Sequence, residues 1–120
     1  MADAIVLVDD LLFQAKLQET AKQVGITLEL AATGERLLTA AAANPAALVL
    51  VDLNARQGAL EAIEQLNQLG GPGNPRRMIA FLSHVQAELA ERARAAGCQE
   101  VMPRSKFTQS LAAILKSAKS

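Results

Sequence analysis

Apolar and polar residues alternate along the chain in a pattern that predicts five strands, each followed by a helix. The strand-like segments are residues 4–8, 26–30, 47–51, 78–82 and 100–102. Apolar residues recur every three or four positions between these segments, as they do in helices that bury one face. The helix-like segments lie near residues 11–24, 34–43, 59–69, 85–96 and 107–118. The pattern therefore predicts five consecutive βα units.

Five such units predict a parallel sheet with helices on both faces, because parallel strands are joined by right-handed helical crossovers. Segments 4–8, 47–51 and 78–82 are continuously apolar, which is typical of central strands. The other two are shorter or more polar, as edge strands are. The doubly wound strand order 2-1-3-4-5 satisfies both conditions. The glycine- and proline-rich residues 70–75 are then a helix-to-strand connector at the opposite edge of the sheet from the strand carboxyl ends.

The composition predicts one domain, spanning residues 1–120, with a core of aliphatic side chains. Twelve basic and twelve acidic residues cancel, so no overall field attracts nucleic acid or an anionic membrane. A single cysteine excludes an internal disulfide framework and is typical of a reducing compartment. No apolar run approaches the roughly 18 residues of a membrane-spanning helix. We therefore expect a soluble, cytoplasmic domain.

Acidic side chains stand where the predicted central strands end. Asp9 and Asp10 follow the first apolar run, and Asp52 follows the third strand-like segment. Ligands bind outside the carboxyl ends of strands in open parallel sheets, and carboxylates are suited to a hard cation. The sequence predicts a Mg²⁺ site formed by these three carboxylates, to which Asn54 adds an oxygen.

The same edge of the sheet also carries groups suited to phosphate chemistry. The Asp52 carboxylate is placed to attack a phosphoryl group and form an acyl phosphate, while the metal neutralises phosphoryl oxygens. Ser83, after the fourth strand, offers a hydroxyl to the new phosphate. Arg104, after the fifth strand, offers a cation.

With these residues in place, the chain resembles the receiver domains of bacterial two-component response regulators. The similar segments are residues 5–10, 50–54, 81–83 and 96–98. The resemblance covers essentially the whole chain and implies a flavodoxin-like receiver fold. It also implies that Asp52 is the phosphoacceptor, that Asp9 and Asp10 bind the metal, and that Ser83 is the switch hydroxyl.

Four features depart from the receiver pattern. Arg104 takes the position of the usual lysine, and the two cations differ because a planar guanidinium is not equivalent to an ammonium. His84 follows the switch hydroxyl, where a small residue is usual, and we interpret it as a possible gating residue. Val101 stands where an aromatic residue often toggles. The loop at 54–58 is shorter and lacks the usual proline.

Each of these residues also has a structural interpretation. Asp10 and Ser83 are both suitable helix N-caps. Arg104 is also compatible with a solvated surface position, and His84 with simple packing at a strand end. Local sequence leaves both interpretations open for each residue.

Two functions follow from these patterns. The first is a non-enzymatic receiver, phosphorylated on Asp52 by a histidine kinase or phosphotransfer protein and acting on a downstream protein effector. The alternative is a pseudo-receiver that binds partners without phosphorylation. A flavin or nucleotide binder on the same strand order is disfavoured, because no glycine-rich or Ser/Thr-rich phosphate loop follows the first strand.

Overall fold

The structure is a computed structural model that describes residues 2–55, 58–70, 77–83 and 86–119. The strands are β1 (Ala4–Leu7), β2 (Leu28–Ala31), β3 (Leu48–Asp52), β4 (Met78–Leu82) and β5 (Glu100–Pro103). The helices are α1 (Leu11–Val24), α2 (Gly34–Ala43), α3 (Ala59–Gly70), α4 (Ala87–Ala96), α5 (Arg104–Gln109) and α6 (Leu111–Ser117). Strands and helices alternate as the hydrophobic pattern predicts.

The five strands form one parallel sheet in the order β2-β1-β3-β4-β5, which confirms the predicted doubly wound topology. The strands predicted to be central, β1, β3 and β4, are fully buried along their length. Both β2 and β5 carry exposed or half-buried positions, as expected of edge strands. The pairing register places Asp52 beside Phe81, so both lie at the carboxyl edge of the sheet.

Helices cover both faces of the sheet and create two separate hydrophobic clusters. On one face, α1, α5 and α6 pack against the sheet through side chains that include Phe13, Phe107 and Leu115. On the other face, α2, α3 and α4 bury mainly leucine, isoleucine and alanine. The predicted two-sided packing is therefore present.

Several element boundaries differ from the sequence prediction. β2 begins at Leu28 because the Ile26 N–H bonds back to the Ala21 carbonyl at 2.9 Å and belongs to the end of α1. β3 includes Asp52, which pairs with β4. The predicted last helix is two helices separated at Ser110, whose φ of −99° and ψ of 7° depart from helical values.

Two predicted features lie largely outside the described residues. Of the glycine- and proline-rich connector, Gly70 ends α3 and the remainder is outside. Val85, predicted to line the fourth helix, is also outside, and α4 begins at Ala87. No helix among residues the structure describes is both long and apolar enough to span a membrane.

A contact between two glycines anchors the chain that follows Asp52. Gly34, the first residue of α2, lies so close to Gly58 that an added Cβ would be 2.4 Å from the Gly58 carbonyl oxygen. Gly58 has φ +79°, a backbone conformation that residues other than glycine rarely adopt. This contact joins α2 to the start of α3 and so supports the carboxyl edge of β3.

Candidate functional site

Asp10 caps α1 and holds its first turn against the sheet. Its Oδ1 accepts hydrogen bonds from the N–H groups of Leu12 at 3.0 Å and Phe13 at 3.2 Å. The Phe13 N–H is the largest cause of a lowered pKa at Asp10, and the Arg104 guanidinium lowers the pKa further. The capping interpretation of Asp10 therefore describes the structure.

Arg104 lies in the site and pairs with Asp10. Its Nη2 donates to Asp10 Oδ2 at 3.1 Å, and both side chains are partly exposed, at 37% and 42%. The guanidinium also lies over the Phe13 ring, 4.1 Å from its centroid, in a cation–π contact. Because Arg104 begins α5 directly after β5, this pair links that edge strand to α1 across the site.

Asp52 is the buried member of the acidic group, with 3% of its surface exposed. Its Oδ1 accepts the Asn54 N–H at 2.9 Å. Burial raises the pKa of Asp52, whereas the Asn54 N–H and the charge of Arg104 lower it, and the charges of Asp9 and Asp10 raise it. The charges of Asp9, Asp10 and Arg104 therefore all act on Asp52 at the carboxyl edge of the central strands.

Neutral hydrogen bonds organise the other half of the site. Asn54 Oδ1 accepts from the Ser83 N–H at 3.1 Å and lies 3.5 Å from the Ser83 hydroxyl. Asn54 Nδ2 donates to Gln86 Oε1 at 2.7 Å. In the part of the chain that the structure describes, the N-cap residue of α4 is Gln86 rather than Ser83. Asn54 was predicted only as a metal ligand. It follows β3 and bonds both to Ser83, at the end of β4, and to Gln86, at the start of α4.

The donor chemistry of the site suits magnesium, but the arrangement of its carboxylates is not a ready metal centre. Within the described parts of the chain, no three His, Cys, Asp or Glu side chains are grouped closely enough to hold an ion. Both carboxylate oxygens of Asp10 are already engaged as hydrogen-bond acceptors, from α1 and from Arg104.

The structure brings together all but one of the predicted site residues. His84, the predicted gating residue, lies outside the described residues. Two contributors were not predicted: Phe13, which supports Arg104, and Gln86, which bonds to Asn54. The only feature of the sequence that points to them is their position. Phe13 is about one helical turn after Asp10, and Gln86 is three residues after Ser83.

Comparison with known structures places this site in a familiar fold. The chain is similar to the receiver domain of Ssk1, solved with the phosphotransfer protein Ypd1 of Saccharomyces cerevisiae (TM-score 0.80, 16% identity, 93% of this chain and 84% of that one). It is also similar to a response regulator receiver domain from Clostridium thermocellum (0.79, 16%, 98% and 94%). The receiver domain of NtrX from Brucella abortus is a third such structure (0.76, 16%, 96% and 96%).

The similarity is structural rather than sequential. The sequence matches no protein-family model and no curated protein at a significant level. At these identities the comparison establishes the receiver-domain fold, as the sequence motifs predicted.

Proposed function

We propose that this domain is a receiver in two-component signalling that accepts a phosphoryl group on Asp52 and acts through protein contact. The observation that supports this proposal best is the position of Asp52. It is a buried carboxylate at the end of the central strand β3, with acidic groups and the cation of Arg104 close enough to act on its pKa.

The proposed reaction uses one oxygen of Asp52 as the nucleophile. The Asn54 N–H holds Oδ1, so we expect Oδ2 to attack the phosphorus of a phosphohistidine. The new O–P bond forms an acyl phosphate as the donor's N–P bond breaks and its electron pair returns to the imidazole. Arg104 would pair with the phosphoryl oxygens, and the Ser83 hydroxyl would donate to one of them.

Magnesium remains part of this proposal. Carboxylate oxygens of Asp9, Asp10 and Asp52 would hold the ion, and Asn54 would add an oxygen. The ion would supply positive charge to neutralise the phosphoryl oxygens. Because Arg104 already pairs with Asp10, its guanidinium would move from Asp10 to the phosphoryl group.

An apolar surface beside the site is suited to the phosphodonor. Leu11 and Leu12, at the start of α1, are 78% and 86% exposed, directly after Asp10. The two adjacent leucines form a contiguous apolar patch, and contiguous exposed apolar patches are the ones that mark contact surfaces. The similar Ssk1 receiver was solved with a phosphotransfer protein. We propose that a histidine kinase or phosphotransfer protein contacts these leucines, and that a downstream protein effector receives the signal.

A second candidate function is a pseudo-receiver that binds its partners without phosphorylation. The Asp10–Arg104 pair favours it, because an internal cation already balances the acidic group. In that case the site would be a structural element and its surroundings an interaction surface.

Intact-mass measurement distinguishes the two functions. The chain is incubated with magnesium and acetyl phosphate, with Asp52→Asn as the matched control. We expect a single phosphoryl adduct on the unaltered chain and none on the variant. No adduct across a wide magnesium range would instead support the pseudo-receiver.

A variant of the leucine surface tests the proposed donor contact separately. Leu12→Ser should slow transfer from a phosphorylated histidine phosphotransfer protein and leave labelling by acetyl phosphate unchanged. Equal slowing with both donors would contradict a role for Leu12 in partner contact.

A further inference from the structure

A continuous chain of hydrogen bonds runs from the buried carboxylate of Asp52 to the beginning of α4. Asp52 Oδ1 accepts the Asn54 N–H at 2.9 Å, and Asn54 Nδ2 donates to Gln86 Oε1 at 2.7 Å. The Asn54 side chain also accepts the Ser83 N–H at 3.1 Å. Asn54 is the one residue that takes part in all three bonds.

The helix at the end of this chain buries few side chains, although it packs against α3 and β5. Within α4, Ala93 is buried, and Leu89 and Ala90 are only partly buried against the core. By contrast, α1 buries Phe13 and two further side chains. The N-cap residue of α4, Gln86, makes no side-chain hydrogen bond to the helix. Its bond to Asn54 is therefore an attachment of the first turn in addition to the packing of Leu89 and Ala90.

An open pocket lies beside the first turn of α4. A cavity of about 240 Å³ lies between α4 and β5, and Gln86, Ala87, Ala90 and Val101 are among its lining residues. A filled interior resists displacement because its side chains are closely packed, and an open cavity removes that resistance on one side. Val101, smaller than an aromatic side chain, leaves this space unfilled.

We infer that Asn54 is a positioning residue that couples the carboxylate of Asp52 to the N-terminus of α4. The backbone N–H of Asn54 donates to the Asp52 carboxylate, and its side-chain amide donates to Gln86, so a shift of the carboxylate is passed to Gln86. Loss of either contact frees the first turn of α4 toward the cavity. This inference does not rest on the proposed phosphorylation, because it concerns the unmodified domain.

Amide hydrogen exchange measured by NMR tests the side-chain half of the coupling. The reporter is the Ala90 N–H, which bonds to the Gln86 carbonyl at 3.1 Å in the first turn of α4. Asn54→Ala and Gln86→Ala should each accelerate its exchange about five-fold, the effect of one ordinary hydrogen bond. The double variant should exchange no faster than either single variant.

Conservative variants separate positioning from simple destabilisation. Gln86→Glu keeps the acceptor for Asn54 Nδ2 and should retain slow exchange, but only when Asn54 is present. Gln18→Ala is the matched control, because it removes a glutamine hydrogen bond of 3.2 Å to the Leu28 carbonyl far from α4. That control should leave Ala90 exchange unchanged.

A second pair of variants tests the link to Asp52. Asp52→Ala removes the acceptor for the Asn54 N–H and should accelerate Ala90 exchange, whereas Asp52→Asn keeps an acceptor and should not. Equal exchange in these two variants, or additive effects of Asn54→Ala and Gln86→Ala, would overturn the inference. These measurements need no phosphoryl donor, so failure of Asp52 to be phosphorylated would not affect them.

Discussion

The two faces of the sheet are packed by different kinds of side chain. On the α1, α5 and α6 face, the three phenylalanines of the chain form one cluster. Phe81 and Phe107 stack with centroids 4.1 Å apart, and Phe13 meets Phe81 edge-on at 5.5 Å. The opposite face is aliphatic and rich in alanine, and it holds the close contact between Gly34 and Gly58.

This difference extends into the site. The aromatic face supplies Phe13. The Arg104 guanidinium lies over its ring and forms an ion pair with Asp10. On the aliphatic face, α4 is held by few buried side chains and by the neutral bonds of Asn54. One half of the site is therefore held by an ion pair and a cation–π contact, and the other half depends on neutral hydrogen bonds that are individually weak.

The largest expected effect tests the aromatic face. Phe107→Ala should lower the free energy of unfolding by about 3–5 kcal/mol, because it removes a fully buried ring and leaves a cavity. Urea unfolding measures the change. Ile63→Val on the aliphatic face, as a smaller deletion at a fully buried position, should cost about 0.5–1.5 kcal/mol. A cost for Phe107→Ala no larger than that of Ile63→Val would contradict the expected cost of the cavity.

The glycine contact on the opposite face provides the next test. In a helix, glycine to alanine is ordinarily stabilising by roughly 0.5–1 kcal/mol. Gly34→Ala should instead destabilise by about 1–3 kcal/mol, because the new methyl group meets the Gly58 backbone, which is not a flexible side chain. Thermal unfolding checks the sign, and an increase in Tm would show that the two segments separate easily.

Asp52, between the two halves, predicts a pH dependence. Burial raises its pKa, so the ionised carboxylate destabilises the folded state, and this cost is complete above the folded-state pKa. Asp52→Asn should therefore raise Tm at pH 7. The gain should shrink as the pH falls through the folded-state pKa toward the unfolded value, since the native carboxyl then becomes protonated. Tm measured across this range checks the sign, and a gain that grows on acidification would contradict it.

The smallest expected effect compares two arginines. Arg77 pairs with Glu100 at 3.4 Å and donates to the Ser117 hydroxyl at 2.8 Å, both on an exposed surface, and Arg77→Met should change stability by about 1 kcal/mol or less. Arg104→Met should cost more, because it also removes the contact with Phe13, worth about 0.5–1 kcal/mol at an exposed position. Urea unfolding of both variants decides the order, and 1 M salt should reduce the effect of Arg77→Met in particular.

The pKa of Asp10 sharpens the comparison of the two arginines. Because this pKa is lowered, Asp10 stabilises the fold above its unfolded pKa, and the contribution is lost as the pH falls through the folded value. The difference in the free energy of unfolding between the wild type and Arg104→Met should therefore decrease in acid.

Much of the architecture was predictable because it depends on local periodicity and connection rules. Continuous apolar runs identified β1, β3 and β4 as the central strands, and helical connections required a parallel sheet. Element ends were less predictable. Ile26 is a β-branched residue of the kind that favours strands, but its N–H bonds to the Ala21 carbonyl at the end of α1.

Local sequence was enough to predict the strand order and the edge of the sheet that carries Asp9, Asp10, Asp52, Ser83 and Arg104, because side-chain periodicity and strand ends are local properties. The partners that these groups take could not be predicted in this way. The choice of Asp10 for Arg104, and of Ser83 and Gln86 for Asn54, depends on distances between residues 29 to 94 positions apart. Such distances are set by how the helices pack on the sheet, which no local pattern contains.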